Sequence, residues 1–370
     1  MKSVASSVCE ALLTISPKQY VPVLRWRAGE YRALSKLSVA CKSLVVPLIE
    51  VLEPDFDFEK LRPVKTIDKQ LLDFGAQLQK SWGQHPALLD GRQLLTATRM
   101  ADGSHPMTFL FNAARAQGAV LTPVIALSSD LDYQIAVRDI AAQDMNGVVL
   151  RCTLDEALDP DFAVNVAFLL GMIAIAPPQL DIVLDLRSPS YEPQAALIAI
   201  IRSALASPTF LGARSSVVLG ASFPETLTAL TLPIQTIDRL EWRLYKTLIT
   251  ALTAQERRPA FGDYAVAAID FPRGDMRFMR GSPNIRYTVR DGWLVARTKR
   301  LKGQTNHAYP SLCQSIITSG QYRGPTFSQG SAYISGCHAG TETRGNATTW
   351  KWVATNHHIT VVVDDLSRIP

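Results

Sequence analysis

Short runs of β-branched and aliphatic residues recur eight times along the chain, and each is followed by a longer segment with helical spacing. Several runs stay apolar until their last residues, which is typical of strands buried on both faces of a parallel sheet. The shortest separation between starts is 24 residues (22 to 46) and the longest is 43 (216 to 259). These separations leave room for a strand, a crossover helix and two loops. The runs are Pro22–Arg27, Val46–Glu53, Ala87–Arg92, Leu121–Leu127, Val148–Leu154, Asp181–Arg187, Ser216–Pro224 and Pro259–Asp270.

Eight strand–helix units predict a (β/α)8 TIM-like barrel over residues 19–275, after an N-terminal extension of residues 1–18. An open doubly wound sheet is the alternative, but no GxGxxG motif follows the first strand. Apolar residues three and four apart predict helices over Gly29–Leu37, Thr66–Trp82, Asp132–Gln143 and Glu192–Ala206. The most apolar stretch, Val166–Ala176, is too short to span a membrane and predicts a buried helix.

From about Asp275 the pattern changes to that of an α+β extension over residues 276–370. Two alternating segments flank an Asp-Gly turn at Arg290–Gly292, which predicts a β-hairpin. A Gly/Ser-rich stretch, Gly324–Gly345, separates two further predicted helices. The predicted elements are hairpin strands Ile285–Val289 and Trp293–Arg297, a short helix near Ser311–Ser319, and a final helix at about Thr348–Leu366 capped by Asn346 or Thr348.

Composition places the chain among globular proteins, because 47% of its 370 residues are hydrophobic and only 19% are charged. The balance of 38 Lys and Arg against 33 Asp and Glu gives +5, spread along the chain, which permits an anionic partner without requiring one. The five cysteines are odd in number and widely spaced, which favours a reducing compartment. Without a signal-peptide pattern in the first 17 residues, the sequence predicts a cytoplasmic protein with no membrane contact.

The last residues of the predicted strands are polar, and in a (β/α)8 barrel these positions carry the functional groups. Glu50, Asp90 and Asp185 each interrupt an otherwise apolar strand, and Asp263 ends the eighth. A buried carboxylate is costly unless it is paired or binds a cation. We therefore predict that these four acids converge as catalytic groups, with Glu50, Asp90 and Asp185 holding Mg²⁺ or Mn²⁺.

Basic and aromatic residues at the same strand ends complete this hypothesis. Arg25, Arg151 and Arg187 would clamp a phosphate, with Trp26 and Tyr264 beside them. The result would be a metal-dependent site that hydrolyses phosphoesters. Two alternatives stay open: a site that binds a ligand without chemistry, and a ring of acid–arginine pairs that only neutralises buried charge.

Four of the six histidines lie in the C-terminal extension, together with two cysteines: His307, Cys313, Cys337, His338, His357 and His358. Their spacing disfavours zinc, because no CxxC or HxxxH pair is present and adjacent His357 and His358 point about 100° apart on a helix. The final helix has the pattern of a packed face, with a proton-transfer or phosphate-contact role for His357 and His358 as the alternative.

Aromatic residues of the extension alternate with basic ones, which suits either single-stranded nucleic acid or packing of the extension onto the barrel. Packing is the favoured interpretation for the two tryptophans, since large aromatic side chains are usually buried. The residues are Trp350, Trp352, Tyr322, Phe327 and Tyr333 with Arg323, Arg344 and Lys351.

Several segments resemble the bacterial beta family proteins, among them VPVLRWR at Val21–Arg27, SFPE at Ser222–Glu225, FGDYA at Phe261–Ala265 and NHHIT at Asn356–Thr360. The resemblance runs from Gln19 to Leu366. It implies a cytoplasmic bacterial protein of prophages or other mobile elements, with antiviral defence as its setting, and it brings no assigned catalytic residues.

Two hypotheses of function follow. In the first, the barrel recognises a phosphate-bearing ligand, nucleic acid or a nucleotide, at the strand C-termini and hydrolyses it with a metal ion. In the second, the chain is a non-enzymatic sensor that binds another protein, encoded in the same operon or by a phage, through its C-terminal extension. If the first hypothesis is right, mutation of Asp185 or Glu50 to alanine should abolish activity while the protein stays folded. If the second is right, mutation of the barrel acids should leave function intact, whereas deletion of Gln321–Gly345 should destroy it.

Overall fold

The computed structural model describes residues 14–269, 282–298 and 307–369. Most of the predicted N-terminal extension, Cys9, Asp270 and the predicted boundary at residues 275 and 276 lie outside these ranges. The division of the chain into domains therefore stays a prediction. No helix within the described residues has the length and apolar character needed to cross a membrane.

Thirteen strands form in the described residues, and eight of them belong to the barrel. In chain order they are β1 (Tyr20–Arg25), β2 (Leu48–Leu52), β3 (Phe56–Asp57), β4 (Arg62–Pro63), β5 (Ala87–Gln93), β6 (Leu121–Ile125), β7 (Val148–Thr153), β8 (Leu180–Asp185), β9 (Ser215–Gly220), β10 (Ile234–Asp238), β11 (Ala260–Asp263), β12 (Asn284–Val289) and β13 (Gly292–Arg297).

Fourteen α-helices and one 3₁₀ turn (Pro177–Gln179) accompany the strands in the described residues. The helices are α1 (Ala28–Ser35), α2 (Val39–Lys42), α3 (Ile67–Leu71), α4 (Phe74–Ser81), α5 (Pro106–Arg115), α6 (Leu131–Asp144), α7 (Leu154–Leu158), α8 (Phe162–Ile173), α9 (Gln194–Leu205), α10 (Pro208–Gly212), α11 (Leu240–Ala251), α12 (Tyr309–Ile317), α13 (Gln329–Ala339) and α14 (Ala347–Leu366).

The barrel is closed and entirely parallel, in the order β1, β2, β5, β6, β7, β8, β9, β11 and back to β1. Each of the eight runs predicted from the sequence overlaps one of these strands, so the (β/α)8 prediction is confirmed. Alternate residues face opposite sides of a strand. The strand residues that face the interior of the barrel form one cluster, and those on the other face pack against the helices. The interior cluster includes Val21, Val23, Leu48, Leu88, Val124, Val149, Val183 and Val217.

A separate three-stranded antiparallel sheet has the order β10, β13, β12. The predicted hairpin is confirmed by β12 and β13, with Val289 paired to Gly292 across the turn. Strand β10 was not predicted, and it comes from the segment between the last two barrel strands. Gly292 permits the close approach of β10, because a Cβ there would lie 2.7 Å from the carbonyl oxygen of Ile237.

The helices agree with the predicted positions, with three differences. The predicted helix Thr66–Trp82 is divided into α3 and α4. Helix α8 is not buried all round as predicted, because an outer helix of a barrel turns one side to solvent and here exposes Val164 and Phe168. The Gly/Ser-rich stretch contains helix α13, which packs against α14 through Gly330, where a Cβ would lie 2.3 Å from the carbonyl oxygen of Val353.

Helix α14 joins the two parts of the molecule. It begins at Ala347 with the side chain of Asn346 accepting from the amide of Thr349. Its N-terminal half packs with α12, α13 and the hairpin in a second apolar core. Its C-terminal half contacts the barrel core through Ile359 and Val362. The helix also lies directly against α1, which comes from the other end of the chain.

Candidate functional site

Four charged side chains point into the barrel at its C-terminal mouth. Glu50, Asp90, Arg151 and Asp185 each follow the interior cluster by two positions on β2, β5, β7 and β8, so they share its inward direction. All four are almost completely buried. The structure therefore brings together the three acids of the predicted metal site, but around a guanidinium.

Arg151 fills the centre of this group, which we call the mouth cluster: Glu50, Asp90, Arg151, Asp185 and Tyr264. Its Nη1 donates to Glu50 Oε1 at 2.8 Å and to Asp90 Oδ2 at 2.9 Å. Its Nε and Nη2 donate to Asp185 Oδ2 at 2.9 and 2.8 Å, and Nη2 also donates to the Tyr264 hydroxyl at 2.6 Å. Tyr264 in turn donates to Asp185 Oδ2 at 2.7 Å. Every member is thus satisfied within the protein.

Charge in the mouth cluster is mutually stabilised. Burial disfavours the charged form of Arg151, but Asp185, Tyr264, Glu50 and Asp90 outweigh it and hold its pKa well above the usual value. Burial likewise opposes ionisation of Asp185, yet Arg151 and the hydrogen bonds from Tyr264 and the Arg187 amide keep the pKa of Asp185 lowered. Arg151 and Asp185 therefore form a buried ion pair at the centre of the cluster.

The predicted metal site at Glu50, Asp90 and Asp185 needs correction on this ground. The place that a divalent cation would take among the three carboxylates is occupied by Arg151. In the described part of the chain, no three His, Cys, Asp or Glu side chains are grouped so that they could hold a metal ion. The arrangement corresponds to the alternative in which acid–arginine pairs close the top of the barrel.

Asp263 does not join the other three acids, contrary to the prediction. On β11 the neighbours Ala260 and Tyr264 face inward, so Asp263 faces the helices. It accepts hydrogen bonds from the Tyr20 hydroxyl and the Ala265 amide, and lies 3.0 Å from His358 Nε2. Burial opposes its ionisation, but His358 and its other polar neighbours keep the pKa of Asp263 lowered.

Both histidines of α14 are completely buried, so neither can contact a ligand from solvent. His358 Nδ1 lies 2.9 Å from Thr288 Oγ1, which gives a Thr–His–Asp chain of the residue types used in nucleophilic catalysis, but Thr288 is buried as well. His357 bonds to the Thr288 carbonyl at 2.9 Å, and its burial lowers its pKa to about 3. These contacts agree with the packed-face interpretation.

Sequence reasoning missed a second buried arginine. Arg239 has no exposed side-chain surface, and its nitrogens lie 3.6 to 3.9 Å from carboxylate oxygens of Glu241, Asp263 and Asp365. Burial raises the pKa of Glu241 to about 7. The sequence gives no sign of its burial, because Arg239 lies just before helix α11 and not in one of the eight predicted strands.

An open cleft of about 860 Å³ lies next to the mouth cluster, because Arg25, which lines the cleft, is 3.9 Å from Glu50. Arg25 and Trp26, both predicted to bind ligand, line it, whereas Arg151 and Tyr264 lie beside it in the mouth cluster and Arg187 lies exposed on the loop after β8. A cavity of about 10 Å³ separates Tyr264 from the cleft floor. The basic residues of the cleft are Arg25, Arg27, Lys65, Lys69, Arg286 and Lys351, and the acidic ones are Glu30, Asp55, Asp73 and Glu225.

Three of these cations form the floor of the cleft: Arg25, Arg286 and Lys351. Lys351 pairs with Glu30 at 3.3 Å, and Arg25 lies 3.9 Å from Glu50. Arg286 donates to the carbonyl of Val266 at 2.7 Å and its guanidinium stacks on Phe223, with 4.6 Å between carbon and ring centre. No carboxylate of the described residues pairs with Arg286.

Two helices begin at the same floor. Ala28 and Gly29 of α1 and Ala347 and Thr348 of α14 line the cleft. The residue before α1 is Arg27, whose side chain has no acceptor and cannot cap the first amides of that helix. Helix N-termini carry unsatisfied amides and a partial positive charge.

The other predicted residues of the C-terminal extension do not form a site. Trp350 and Trp352 are buried in the second core, as the packing interpretation expected. Cys313 and Cys337 are buried there side by side, while His307 bonds to Arg344 and His338 is exposed.

The closed ring of eight parallel strands, with buried Arg151 at its C-terminal mouth and a basic cleft beside it, defines a (β/α)8-barrel protein. A family model described as Beta protein matches residues 20–364, so the chain belongs to the Beta protein family. The chain matches no curated protein.

Among solved structures, the chain is similar to triosephosphate isomerase from Bartonella henselae, with 14% identity and a TM-score of 0.33 over 66% of this chain and 91% of that one. It is also similar to SacUVDE, with 8% identity and a TM-score of 0.29 over 66% of this chain and 92% of that one. The assignment of the fold rests on the strand order of the barrel itself.

Proposed function

We propose that the cleft binds a phosphate-bearing ligand, a nucleotide or nucleic acid, at its cationic floor. The observation that carries the proposal is the meeting of Arg25, Arg286 and Lys351 with the first turns of α1 and α14. Guanidinium, ammonium and helix amides are the groups that proteins use to bind phosphate.

The positive charge of the cleft floor favours binding of an anion. Burial is the main cause that lowers the pKa of Lys351; Glu30 opposes this, but the nearby Arg286 and Arg25 lower it further. Burial also lowers the pKa of Arg286 to about 10. These cations are partly desolvated and repel one another, so a bound anion would stabilise their charged forms. It would thereby raise the pKa values of Lys351 and Arg286.

The proposal stops at binding. The acids predicted to hold the metal ion for hydrolysis are buried and bonded to Arg151. In the described residues, no other acids are grouped so that they could hold one. The role in antiviral defence implied by the family resemblance stays a prediction, as does the cytoplasmic location.

The alternative of a protein-binding C-terminal extension also stays a prediction, and its original test is unsuitable. Deletion of Gln321–Gly345 would remove α13, including Ile334, which is completely buried in the second core. Loss of function would then report unfolding and not the loss of a binding surface.

Thermal unfolding with pyrophosphate tests the proposal, because a ligand that binds only the native state raises its melting temperature. At constant ionic strength we expect a rise for the wild type and for Arg138→Gln, an exposed control on α6. We expect the rise to be lost in Arg286→Gln. We expect it to be reduced in Arg27→Gln, because Arg27 lines the cleft beside the floor, and its exposed side chain is less costly to replace. Equal rises in all four proteins would contradict a site at the cleft.

A further inference from the structure

The hairpin β3–β4 carries two exposed phenylalanines at the edge of the cleft. Phe56 and Phe58 are 46% and 45% exposed, and their ring centres lie 5.2 Å apart with an angle of 74° between the planes. The only other exposed phenylalanine in the described residues is Phe168, on the outer side of α8. Paired rings on a solvent-facing hairpin provide flat surfaces on which a planar group can stack.

The hairpin is continuous with the cleft. Asp55, at the base of β3, accepts from Arg27 Nη2 at 2.7 Å, and both residues line the cleft. The chain returns from β4 to the cleft through Lys65, and Lys69 of α3 follows. A path of exposed side chains therefore runs from the phenylalanine pair to the cleft floor.

Basic side chains along this path are available to a ligand. The acids of the hairpin are largely engaged within the protein: Asp55 pairs with Arg27, and Asp57 pairs with Lys60 at 3.4 Å. In the described chain, no carboxylate pairs with Arg62, Lys65 or Lys69. The path thus combines exposed aromatic rings with unneutralised positive charge.

We propose that the ligand of the cleft is single-stranded nucleic acid, with bases stacked on Phe56 and Phe58 and its backbone leading past Lys65 and Lys69 to the floor. This inference rests on the proposed function and extends it from a phosphate group to a polymer. Stacking surfaces beside a positively charged groove are the common design of proteins that bind single strands without sequence preference. Trp26, which lines the cleft, offers a further ring inside it.

Fluorescence anisotropy of labelled oligo-dT and oligo-rU of about 20 nucleotides tests the inference on the full chain, since single-strand sites span several nucleotides. We expect the double variant Phe56→Leu, Phe58→Leu to bind at least about tenfold more weakly than the wild type, because leucine keeps the apolar surface but removes the stacking rings. Phe168→Ala is the matched control and should bind like the wild type. The two oligonucleotides show whether DNA or RNA is preferred.

The pyrophosphate melting shift, measured on the same proteins, separates this inference from the proposed function. A shift that persists in the leucine double variant while oligonucleotide binding falls supports both. A shift without oligonucleotide binding, or oligonucleotide binding unchanged in the double variant, overturns the inference and leaves the phosphate site. Binding of the wild type to anionic lipid vesicles in place of oligonucleotides would also overturn it, and absence of both signals would overturn both proposals.

Discussion

Arg151 holds Asp185 through two of its nitrogens, with Nε and Nη2 at 2.9 and 2.8 Å from the same carboxylate oxygen. The two residues lie on neighbouring strands of the barrel, and the pair leaves Nη1 for Glu50 and Asp90. Three buried acidic side chains thus share Arg151, with Arg92 also 2.8 Å from Asp90 and Arg25 3.9 Å from Glu50. Barrels commonly place reactive groups at the C-terminal mouth. Here the mouth cluster is buried, and the cleft beside it is open to solvent.

Replacement of Arg151 by methionine should strongly destabilise the protein. Methionine fills similar space, but Asp185 would lose Arg151, and Asp90 and Glu50 would keep only Arg92 at 2.8 Å and Arg25 at 3.9 Å. Removing one partner of a buried pair costs about 3–5 kcal/mol. Urea unfolding should show this loss, while Arg138→Met, at an exposed pair on α6, should stay within about 0.5 kcal/mol of the wild type. A loss below about 1 kcal/mol in Arg151→Met would contradict a stabilising role for Arg151 in the mouth cluster.

His357 should make the protein less stable as the pH falls. Its folded pKa is about 3 against an ordinary 6.5, so the unfolded chain takes up a proton at a pH where the folded protein does not. The stabilising contribution is complete above pH 6.5 and declines toward pH 3, with a slope of up to about 1.4 kcal/mol per pH unit. In urea unfolding at several pH values, His357→Gln should lack this decline; a constant difference from the wild type would contradict it.

Glu241 should act in the opposite direction. Burial raises its pKa from 4.5 to about 7, so the folded protein keeps a proton that the unfolded chain releases. Stability is therefore lost as the pH rises from about 4.5 to about 7. Glu241→Gln, which can still accept from Ser222, should match the wild type near pH 4 and become the more stable of the two by pH 8. Parallel curves would show that Glu241 is ionised in the folded state.

Gly29→Ala should destabilise the contact between α1 and α14. A Cβ there would lie 2.6 Å from Cγ and 2.8 Å from Cβ of Lys351, atoms near the backbone that have little freedom to move. We expect a loss of about 1–3 kcal/mol in the free energy of unfolding, together with weaker binding of pyrophosphate. Gly171→Ala on α8 is the control: its Cβ meets nothing within 4 Å, so alanine should stabilise the helix by about 0.5–1 kcal/mol. An unchanged Gly29→Ala would mean that the two helices separate easily.

The barrel could be predicted because strand spacing is a local property of the chain. The face on which a polar residue lies is not a local property, because a continuously apolar strand does not show which of its sides points inward. Glu50, Asp90 and Asp185 face the interior of the barrel, whereas Asp263 faces the helices. The register of β11 with its neighbours decides this difference. Likewise, Arg151 was recognised as a candidate, but the sequence placed it on a ligand and not among the three acids.

The missed elements depend on distant partners. Helix α13 lies in a Gly/Ser-rich stretch of weak helical preference, and it forms because its glycine and serine faces fit closely against α14. Strand β10 is short and largely polar, and it forms because β13 supplies its hydrogen bonds. Phe56 of β3 and Phe58 after it are exposed although phenylalanine is usually buried, so the sequence gives no sign of their position.

The pairing of β10 with β13 has a consequence for the protein during its synthesis. Seven of the eight barrel strands are made before β10, yet β10 gains its partner only when the ribosome has passed Gly292. Helix α14, which covers Asp263 and Arg239, is made after the hairpin. A nascent chain halted between the last barrel strand and the hairpin would therefore carry an unpaired strand and exposed charges. We expect such intermediates to be held by chaperones, and the chain to become resistant to protease only after α14 has been made.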